Sequence, residues 1–177
     1  MSRIENYFSQ VLTIIFGLLV ASTAWAASLK EVSRSEWTGG ATLPNYATMR
    51  IYVPDNLRDN PAIVVSAHSC GGSATKQLSN MDFFKATTDR TGDIILILPD
   101  NPGQNCWDIG SNATLTRDGG GDTHAVAQMV RYAIKEYDAD TNRIYICGGS
   151  SGAMLTQAVL GTYPDLFIAG AARAGLP

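Results

Sequence analysis

Apolar residues are spaced along this chain in two ways, and the spacing separates strands from helices. Continuous apolar runs, typical of strands buried on both faces of a sheet, occupy Ala62–Ala67 and residues 94–98, 143–147 and 167–172. The run at 94–98 is expected to stop at Pro99, because proline has no N–H group to give to a neighbouring strand. Residues 49–53 alternate between apolar and polar side chains, which predicts a half-buried strand ending at a Pro-Asp-Asn turn.

Longer segments between these runs show helical spacing. Residues 81–91 have a helical pattern, and a cap at Asp122 or Thr123 begins a helix that runs to about residue 137. Residues 100–121 are rich in Gly, Asn and Asp and predict a loop. Strands and helices that alternate in this way imply an α/β fold, in which parallel strands are flanked by helices and joined by right-handed crossovers.

The apolar run at 143–147 leads directly into Gly148-Gly149-Ser150-Ser151-Gly152. This matches the G-x-S-x-G nucleophile elbow of the α/β-hydrolase fold, with Ser150 at its tip and a helix from near Ser151 onward. Gly148 and Gly152 would leave room where a Cβ would clash. The motif predicts acyl transfer through a serine ester. The alternative is a strand-to-helix turn of small residues with no chemistry.

An elbow serine needs amide donors for the oxyanion. The segment His68-Ser69-Cys70-Gly71-Gly72 follows Ala62–Ala67, at the carboxyl end of a strand where α/β sheets bind ligands. The amides of Cys70 and Ser151 are the predicted oxyanion-hole donors. A glycine-rich turn without a catalytic part is the alternative.

Three cysteines allow one disulfide bond. Cys70 and Cys106 each follow a strand by a few residues, and adjacent parallel strands would bring these loops together, with Cα atoms about 5.5 Å apart. Cys147 lies within a strand and is expected to be reduced and buried in the core. No cysteine and histidine cluster has the spacing of a zinc site, so neither a metal nor another cofactor is expected.

The pattern of the N-terminal 26 residues predicts a signal peptide. Arg3 precedes an apolar core at residues 11–20, and Ala24-Trp25-Ala26 precedes a cleavage site. An uncleaved anchor is the alternative, although the core is shorter than the ~20 residues of a spanning helix. Secretion of a single domain at 27–177, with no membrane contact after cleavage, is therefore expected. The net charge of −3 makes nucleic acid an unexpected partner.

Four motifs in order resemble the secreted serine esterases of carbohydrate esterase family one. They lie at residues 68–72, 105–108, 113–122 and 148–154. The family includes fungal acetylxylan and feruloyl esterases and is related to polyhydroxybutyrate depolymerases. The resemblance implies an α/β-hydrolase fold from about residue 40 onward, with Ser150 as nucleophile and Cys70 in the oxyanion hole. Two residues depart from the family pattern, namely Ser69, where glycine or an aromatic residue is usual, and His124.

The resemblance implies a secreted carboxylic ester hydrolase that deacylates plant cell-wall polysaccharide, acetylxylan or feruloyl-xylan. A polyester depolymerase is one alternative, and an inactive fragment or pseudoenzyme is another. The triad order in this fold is Ser, then Asp or Glu, then His, and no histidine follows Ser150. The domain is therefore expected to be incomplete at its C-terminus and the 177-residue chain to have little activity. His124 and His68 are weak candidates for a substitute base. The oligomeric state stays open.

For several other side chains the sequence is compatible with more than one role. Asp165 follows Ser150 too closely for the triad acid and is expected in a surface loop. Asp108 and Asp122 either orient a sugar hydroxyl or each other, or they cap loops. Trp107 is either a packing anchor beside the disulfide or a platform on which a sugar stacks.

Overall fold

A computed structural model describes residues 27–175, which form six strands and six helices. The strands are β1 (Leu29–Val32), β2 (Thr48–Tyr52), β3 (Ala62–Ala67), β4 (Ile94–Asp100), β5 (Ile144–Gly149) and β6 (Ala169–Arg173). The helices are α1 (Arg34–Trp37), α2 (Ala74–Ser79), α3 (Asp82–Thr91), α4 (Asn112–Leu115), α5 (Asp122–Tyr137) and α6 (Ser151–Thr162). The predicted signal peptide lies outside the described residues. Within 27–175, no helix is both long and apolar enough to cross a membrane.

All six strands form one mixed sheet in the order β1-β2-β4-β3-β5-β6. The strands β4, β3, β5 and β6 are parallel, as predicted, and they carry helices on both faces. The strands β1 and β2 are antiparallel, so the expectation of parallel pairing holds only for these four strands. The alternation of apolar and polar residues in β2 explains why this strand differs, because antiparallel strands near the edge of a sheet commonly bury one face only. Met49 and Ile51 are buried, while Arg50 between them pairs with Glu31 at 2.7 Å.

The strand β4 does not stop at Pro99. It continues to Asp100, and Pro99 lies opposite Met49 of β2. The parallel pairing with β3 ends at Ile97, so from there β4 has a single neighbouring strand. Proline is tolerated at such edge positions, since its missing N–H faces no second strand. The extension places Asp100 directly at the carboxyl edge of the sheet.

Alternate side chains of the central strands enter two separate cores. On one face, Ile63, Val65, Ile95 and Ile97 belong to the larger cluster, which is covered by α1, α5 and α6. On the other face, Val64, Leu96 and Leu98 belong to a smaller cluster with residues of α2 and with Met81, which directly precedes α3. The period of two along each strand accounts for this division. The sheet is thereby fixed between helices, and its carboxyl edge is left to loops.

Two predicted burials are wrong. The five residues of β6 are all exposed, and within 27–175 this strand pairs only with β5. Cys147 is only half-buried, because its side chain faces the smaller cluster, beside an apolar groove that also contacts Val64 and Ala171. Burial still raises the pKa of its thiol, which lies 3.6 Å from Oγ of Ser66. Cys147 is unpaired, as predicted.

Candidate active site

Loops at the carboxyl ends of β3, β4 and β5 converge at one edge of the sheet. The strand β3 lies between β4 and β5, and Ala67 at its end is in register with Gly148. The segment His68–Gly72 therefore emerges beside Ser150, on the neighbouring strand. This is the adjacency that the proposed oxyanion pair of Cys70 and Ser151 requires.

Ser150 occupies a sharp turn between β5 and α6. Its backbone angles are φ 53° and ψ −121°, and its side chain is exposed. A positive φ is uncommon for a residue with a Cβ and stores strain, which is the hallmark of a nucleophile elbow. The backbone N–H of Ser150 donates to the carbonyl of Arg173 at 3.0 Å, which ties the turn to β6. The predicted strand-to-helix turn at Ser150 is confirmed.

The two motif glycines are required sterically. A Cβ on Gly148 would lie 2.3 Å from the carbonyl oxygen of Gly152, and one on Gly152 would lie 2.2 Å from that of Ala67. Both neighbours are backbone atoms that cannot swing away. A Cβ on Gly149, by contrast, would have nothing nearer than 3.9 Å. Within this motif, Gly148 and Gly152 are therefore sterically obligatory and Gly149 is not.

The loop after β3 is held in a fixed shape. Cys70 and Cys106 form a disulfide with Cα atoms 4.2 Å apart, which confirms the predicted pairing. Gly71 adopts φ +66° and donates its N–H to the carbonyl of Asn105 at 2.6 Å. Ser69 is absent from the residues of 27–175 that adopt a positive φ, so glycine is not needed there. The departure from the family pattern at Ser69 therefore leaves the loop intact.

Trp107 joins the two segments that carry the proposed oxyanion donors. Its indole Nε1–H donates to the carbonyl of His68 at 2.8 Å, and its backbone N–H donates to Oγ of Ser151 at 3.3 Å. The side chain is buried and its ring lies 4.7 Å from that of His68. Trp107 is thus a packing anchor, and a buried ring is not available as a sugar platform.

Asp100 at the end of β4 and His68 within the loop after β3 brace this loop. Nδ1 of His68 lies 2.8 Å from the carbonyl of Ser69, and Nε2 lies 3.4 Å from Oδ1 of Asp100. Asp100 also accepts the backbone N–H of Ala74 at 3.1 Å. Burial opposes ionisation of Asp100, but these contacts outweigh it and lower its pKa. Nδ1 of His68 is thus hydrogen-bonded, whereas Nε2 makes no hydrogen bond among the described residues and faces the Asp100 carboxylate.

Asp108 and Asp122 stabilise the loop between β4 and α5. Asp108 accepts the backbone N–H groups of Gly110 and Ser111, each at 3.1 Å. Asp122 is buried and accepts the backbone N–H of Asp108 at 2.8 Å and the hydroxyl of Tyr46 at 2.9 Å. Burial raises the pKa of Asp122. The two carboxylates therefore act as loop caps.

His124 and Asp165 are engaged away from the elbow. Nδ1 of His124 accepts the N–H of Gly120 at 3.2 Å, while Nε2 lies 3.4 Å from Oδ1 of Asp118. Asp165 is exposed, as predicted, and pairs with Arg117 through two contacts of 2.5 and 2.9 Å. Neither side chain is placed to act on Ser150. Within residues 27–175, no group of three or more His, Cys, Asp or Glu side chains could hold a metal ion.

We expect loss of the disulfide to destabilise the fold. The bond joins cysteines that are 36 positions apart in the sequence. For a loop of this length the chain-entropy relation gives a stabilisation of about 3 to 4 kcal/mol. Urea denaturation of a Cys70→Ala/Cys106→Ala variant should therefore show a loss of about 3 kcal/mol. The matched control is Cys147→Ala, with an expected loss below about 1 kcal/mol. Equal losses in the two variants would contradict the assignment of Cys70 and Cys106 as the structural pair.

We also expect His124 to make stability depend on pH. Burial lowers the pKa of His124 below its usual value of about 6.5, so the unfolded chain binds this proton more readily than the folded one. Its contribution to stability is present above about pH 6.5 and is lost as pH falls toward the lower folded pKa. Unfolding free energies measured between about pH 7 and pH 5 should fall less steeply in His124→Gln. Parallel curves for the two proteins would refute this expectation.

Sequence reasoning missed two parts of this site. The sequence pattern places Asp100 in a loop, because Pro99 predicts the end of the strand, although the position of Asp100 next to a buried run is a usable signal. The bridging hydrogen bonds of Trp107 depend on contacts between residues about 40 positions apart in the chain, which local patterns do not encode.

Comparison with known proteins relates this geometry to esterases. The Prolyl oligopeptidase family model matches residues 111–176, a stretch that includes Ser150. The chain is 42% identical over 155 residues to feruloyl esterase B of Talaromyces stipitatus, covering 88% of this chain and 42% of that protein. It is 44% identical over 153 residues to a probable acetylxylan esterase A of Aspergillus flavus, covering 86% of this chain and 48% of that protein.

A solved structure also matches. The acetyl xylan esterase from Aspergillus awamori superposes with a TM-score of 0.75 at 37% identity, covering 84% of this chain and 52% of that one. The chain thus spans about half the length of these relatives, with shares of 42%, 48% and 52%. The shared fold is that of the α/β-hydrolases, as the elbow motif predicted.

Proposed function

Because this chain is a homologue of the fungal acetylxylan and feruloyl esterases and has their α/β-hydrolase fold, we propose that its protein is a carboxylic ester hydrolase. The observation that carries the proposal is Ser150, exposed at a positive φ beside the rigid loop that follows β3. We assign to this serine the nucleophilic attack on the ester carbonyl.

In the proposed mechanism, backbone amides stabilise the negative charge that develops on the ester carbonyl oxygen. As Ser150 Oγ bonds to the carbonyl carbon, the carbonyl oxygen becomes negative and accepts the amide N–H groups of Cys70 and Ser151. Ser151 is the first residue of α6, so its amide has no partner within the helix. The positive end of the helix dipole favours the same charge. The alcohol then leaves, and water hydrolyses the acyl ester on Ser150.

The step that the described residues leave open is proton transfer. A serine hydroxyl is a poor nucleophile unless a base takes its proton. His68 and His124 are the histidines of the sequence, and both are hydrogen-bonded elsewhere. The proposed nucleophile and the proposed oxyanion donors lie among the described residues, and the 177-residue chain by itself is expected to be a poor catalyst.

We propose acylated plant cell-wall polysaccharide as the substrate class, on the names of the matched relatives. We further propose secretion, on the signal pattern of residues 1–26. The disulfide supports that location, because such bonds persist in oxidising compartments.

The test is a comparison of substrates with the protein expressed from its complete coding sequence. Release of acetate from acetylxylan and of ferulate from feruloylated arabinoxylan is measured beside degradation of polyhydroxybutyrate. Release of acetate or ferulate without attack on the polyester is the expected result. Preferred attack on the polyester would favour the depolymerase alternative, and inactivity on all three would contradict the proposed function.

A further inference from the structure

A cleft of about 360 Å³ lies between α1 and α5, on the larger core side of the sheet. Its volume falls within the range of about 300 to 1,000 Å³ that is common for small-molecule sites. None of its lining residues belongs to the loops around Ser150, and none belongs to the exposed strand β6. It is therefore separate from the proposed active site.

The wall of this cleft contains a buried donor that lacks a partner. Trp37 lines the cleft with a side chain that is 1% exposed, and its indole Nε1–H makes no hydrogen bond within residues 27–175. An unsatisfied buried donor costs about 1 to 3 kcal/mol, and native structures contain few of them. A group with an acceptor oxygen in the cleft would remove this cost.

The side-chain NH₂ group of Gln128 is a second donor, and the hydrogen bonds of His124 determine its orientation. Since Nδ1 of this ring accepts the N–H of Gly120, its neutral form carries the proton on Nε2. The structure places Nε2 of Gln128 3.2 Å from this Nε2 and Oδ1 of Asp118 3.4 Å from it. Two donors do not face each other at 3.2 Å, so we assign the Gln128 amide in the flipped orientation, with its oxygen toward His124. The NH₂ group of Gln128 is then the amide atom beside Gly39, where both residues line the cleft.

The charges of the cleft favour a neutral ligand. Glu36 and Glu136 balance Arg131 and Lys135, so neither an anion nor a cation gains a net attraction. Arg131 is moreover paired with Asp118 at 3.2 Å. Carboxylates accept hydroxyl hydrogens, while the indole and amide groups donate to hydroxyl oxygens. This mixture matches a molecule that carries several hydroxyl groups.

An aromatic side chain completes the match. Burial and the nearby Tyr137, Glu136 and Glu36 raise the pKa of Tyr132 to about 12, so its phenol stays protonated and can donate. The Tyr132 ring lines the cleft and offers apolar surface to the C–H groups of a sugar.

We propose that this cleft is a second carbohydrate site, which binds one neutral sugar unit of a polysaccharide outside the catalytic site. The choice of a xylosyl unit rests on the proposed function, whereas the inference that the cleft binds a neutral sugar does not. Binding there would hold the polymer on the protein without entering the reaction.

The test is a titration of the 177-residue chain with xylotriose, followed by ¹⁵N–¹H NMR. We expect saturable shifts of the NMR signals of the Trp37 indole N–H and the Gly39 amide. The signal of the Trp107 indole N–H, which is hydrogen-bonded to His68, should not shift. Trp37→Phe and Gln128→Ala should each weaken binding about five-fold, as read on Gly39, because each removes one hydrogen bond of about 1 kcal/mol. Gln104→Ala, at an exposed glutamine outside the cleft, is the matched control and should bind as tightly as the parent chain.

Each other outcome overturns the proposal. These outcomes are the absence of a saturable shift, equal affinities in Gln128→Ala and Gln104→Ala, equal shifts with glycerol, or shifts with sodium acetate instead of xylotriose. Gln128→Ala decides the matter if Trp37→Phe does not fold. Ester hydrolysis is not measured here, so this test can fail while the esterase proposal stands, and the reverse also holds.

Discussion

The Ser150→Ala variant of the protein expressed from its complete coding sequence should lose ester hydrolysis by about a thousand-fold or more in kcat. Without the hydroxyl no acyl ester can form, and the amides of Cys70 and Ser151 can stabilise only a direct attack by water. Initial rates on p-nitrophenyl acetate measure the loss. Ser79→Ala is the matched control, because this serine lies on the exposed side of α2 and should keep the parent rate.

The same substitution in the 177-residue chain should change almost nothing. Nδ1 of His68 is hydrogen-bonded to the carbonyl of Ser69, and Nδ1 of His124 accepts the N–H of Gly120. The two Nε2 atoms each lie 3.4 Å from a carboxylate oxygen, that of Asp100 and that of Asp118, so neither ring is placed to activate Ser150. The parent chain and its Ser150→Ala variant should therefore hydrolyse p-nitrophenyl acetate equally slowly. Rapid turnover that disappears in the variant would contradict this account and would identify one of the two histidines as the base.

The Gly152→Ala variant should lose about 4 kcal/mol of unfolding free energy or fail to fold. The new Cβ would lie 2.2 Å from the carbonyl oxygen of Ala67 and 2.7 Å from that of His68. Neither oxygen can rotate away, because both belong to the backbone at the end of the central strand β3. Either β3 or α6 must therefore move, and the elbow opens.

Gly149→Ala provides the matched control within the same motif. Its Cβ would be 3.9 Å from the nearest atom, the carbonyl oxygen of Arg173, which is ordinary contact distance. Urea denaturation should place its stability within about 0.5 kcal/mol of the parent chain. Similar losses at positions 149 and 152 would mean that the elbow is not packed against β3 as described.

The strongest local signals in the sequence predicted the central sheet and the elbow. The apolar run Ala62–Ala67 forms β3 at the predicted bounds, and the pattern at 122–137 forms α5. Gly148 and Gly152 carry a steric requirement that is visible as a motif. The pairing of Cys70 with Cys106 followed from the order of strands, because β3 and β4 are neighbours.

What the sequence did not predict depends on distant contacts. The strand β1 was missed because Leu29–Val32 contains Lys30 and Glu31, and it forms only by pairing with β2. Short helices such as α1 and α2 have too few turns for a periodic pattern. The exposure of β6 and of Cys147 depends on which elements cover one face of the sheet, and an apolar run cannot report that.

The most direct test of the central claim is to trap the acyl intermediate. The protein expressed from its complete coding sequence is mixed with p-nitrophenyl acetate, quenched in acid within the burst, and digested for mass spectrometry. An acetyl group on Ser150, absent from the Ser150→Ala variant and removed with time at neutral pH, is the result that this account predicts. Burst release of p-nitrophenol with the acetyl group on another residue would contradict it.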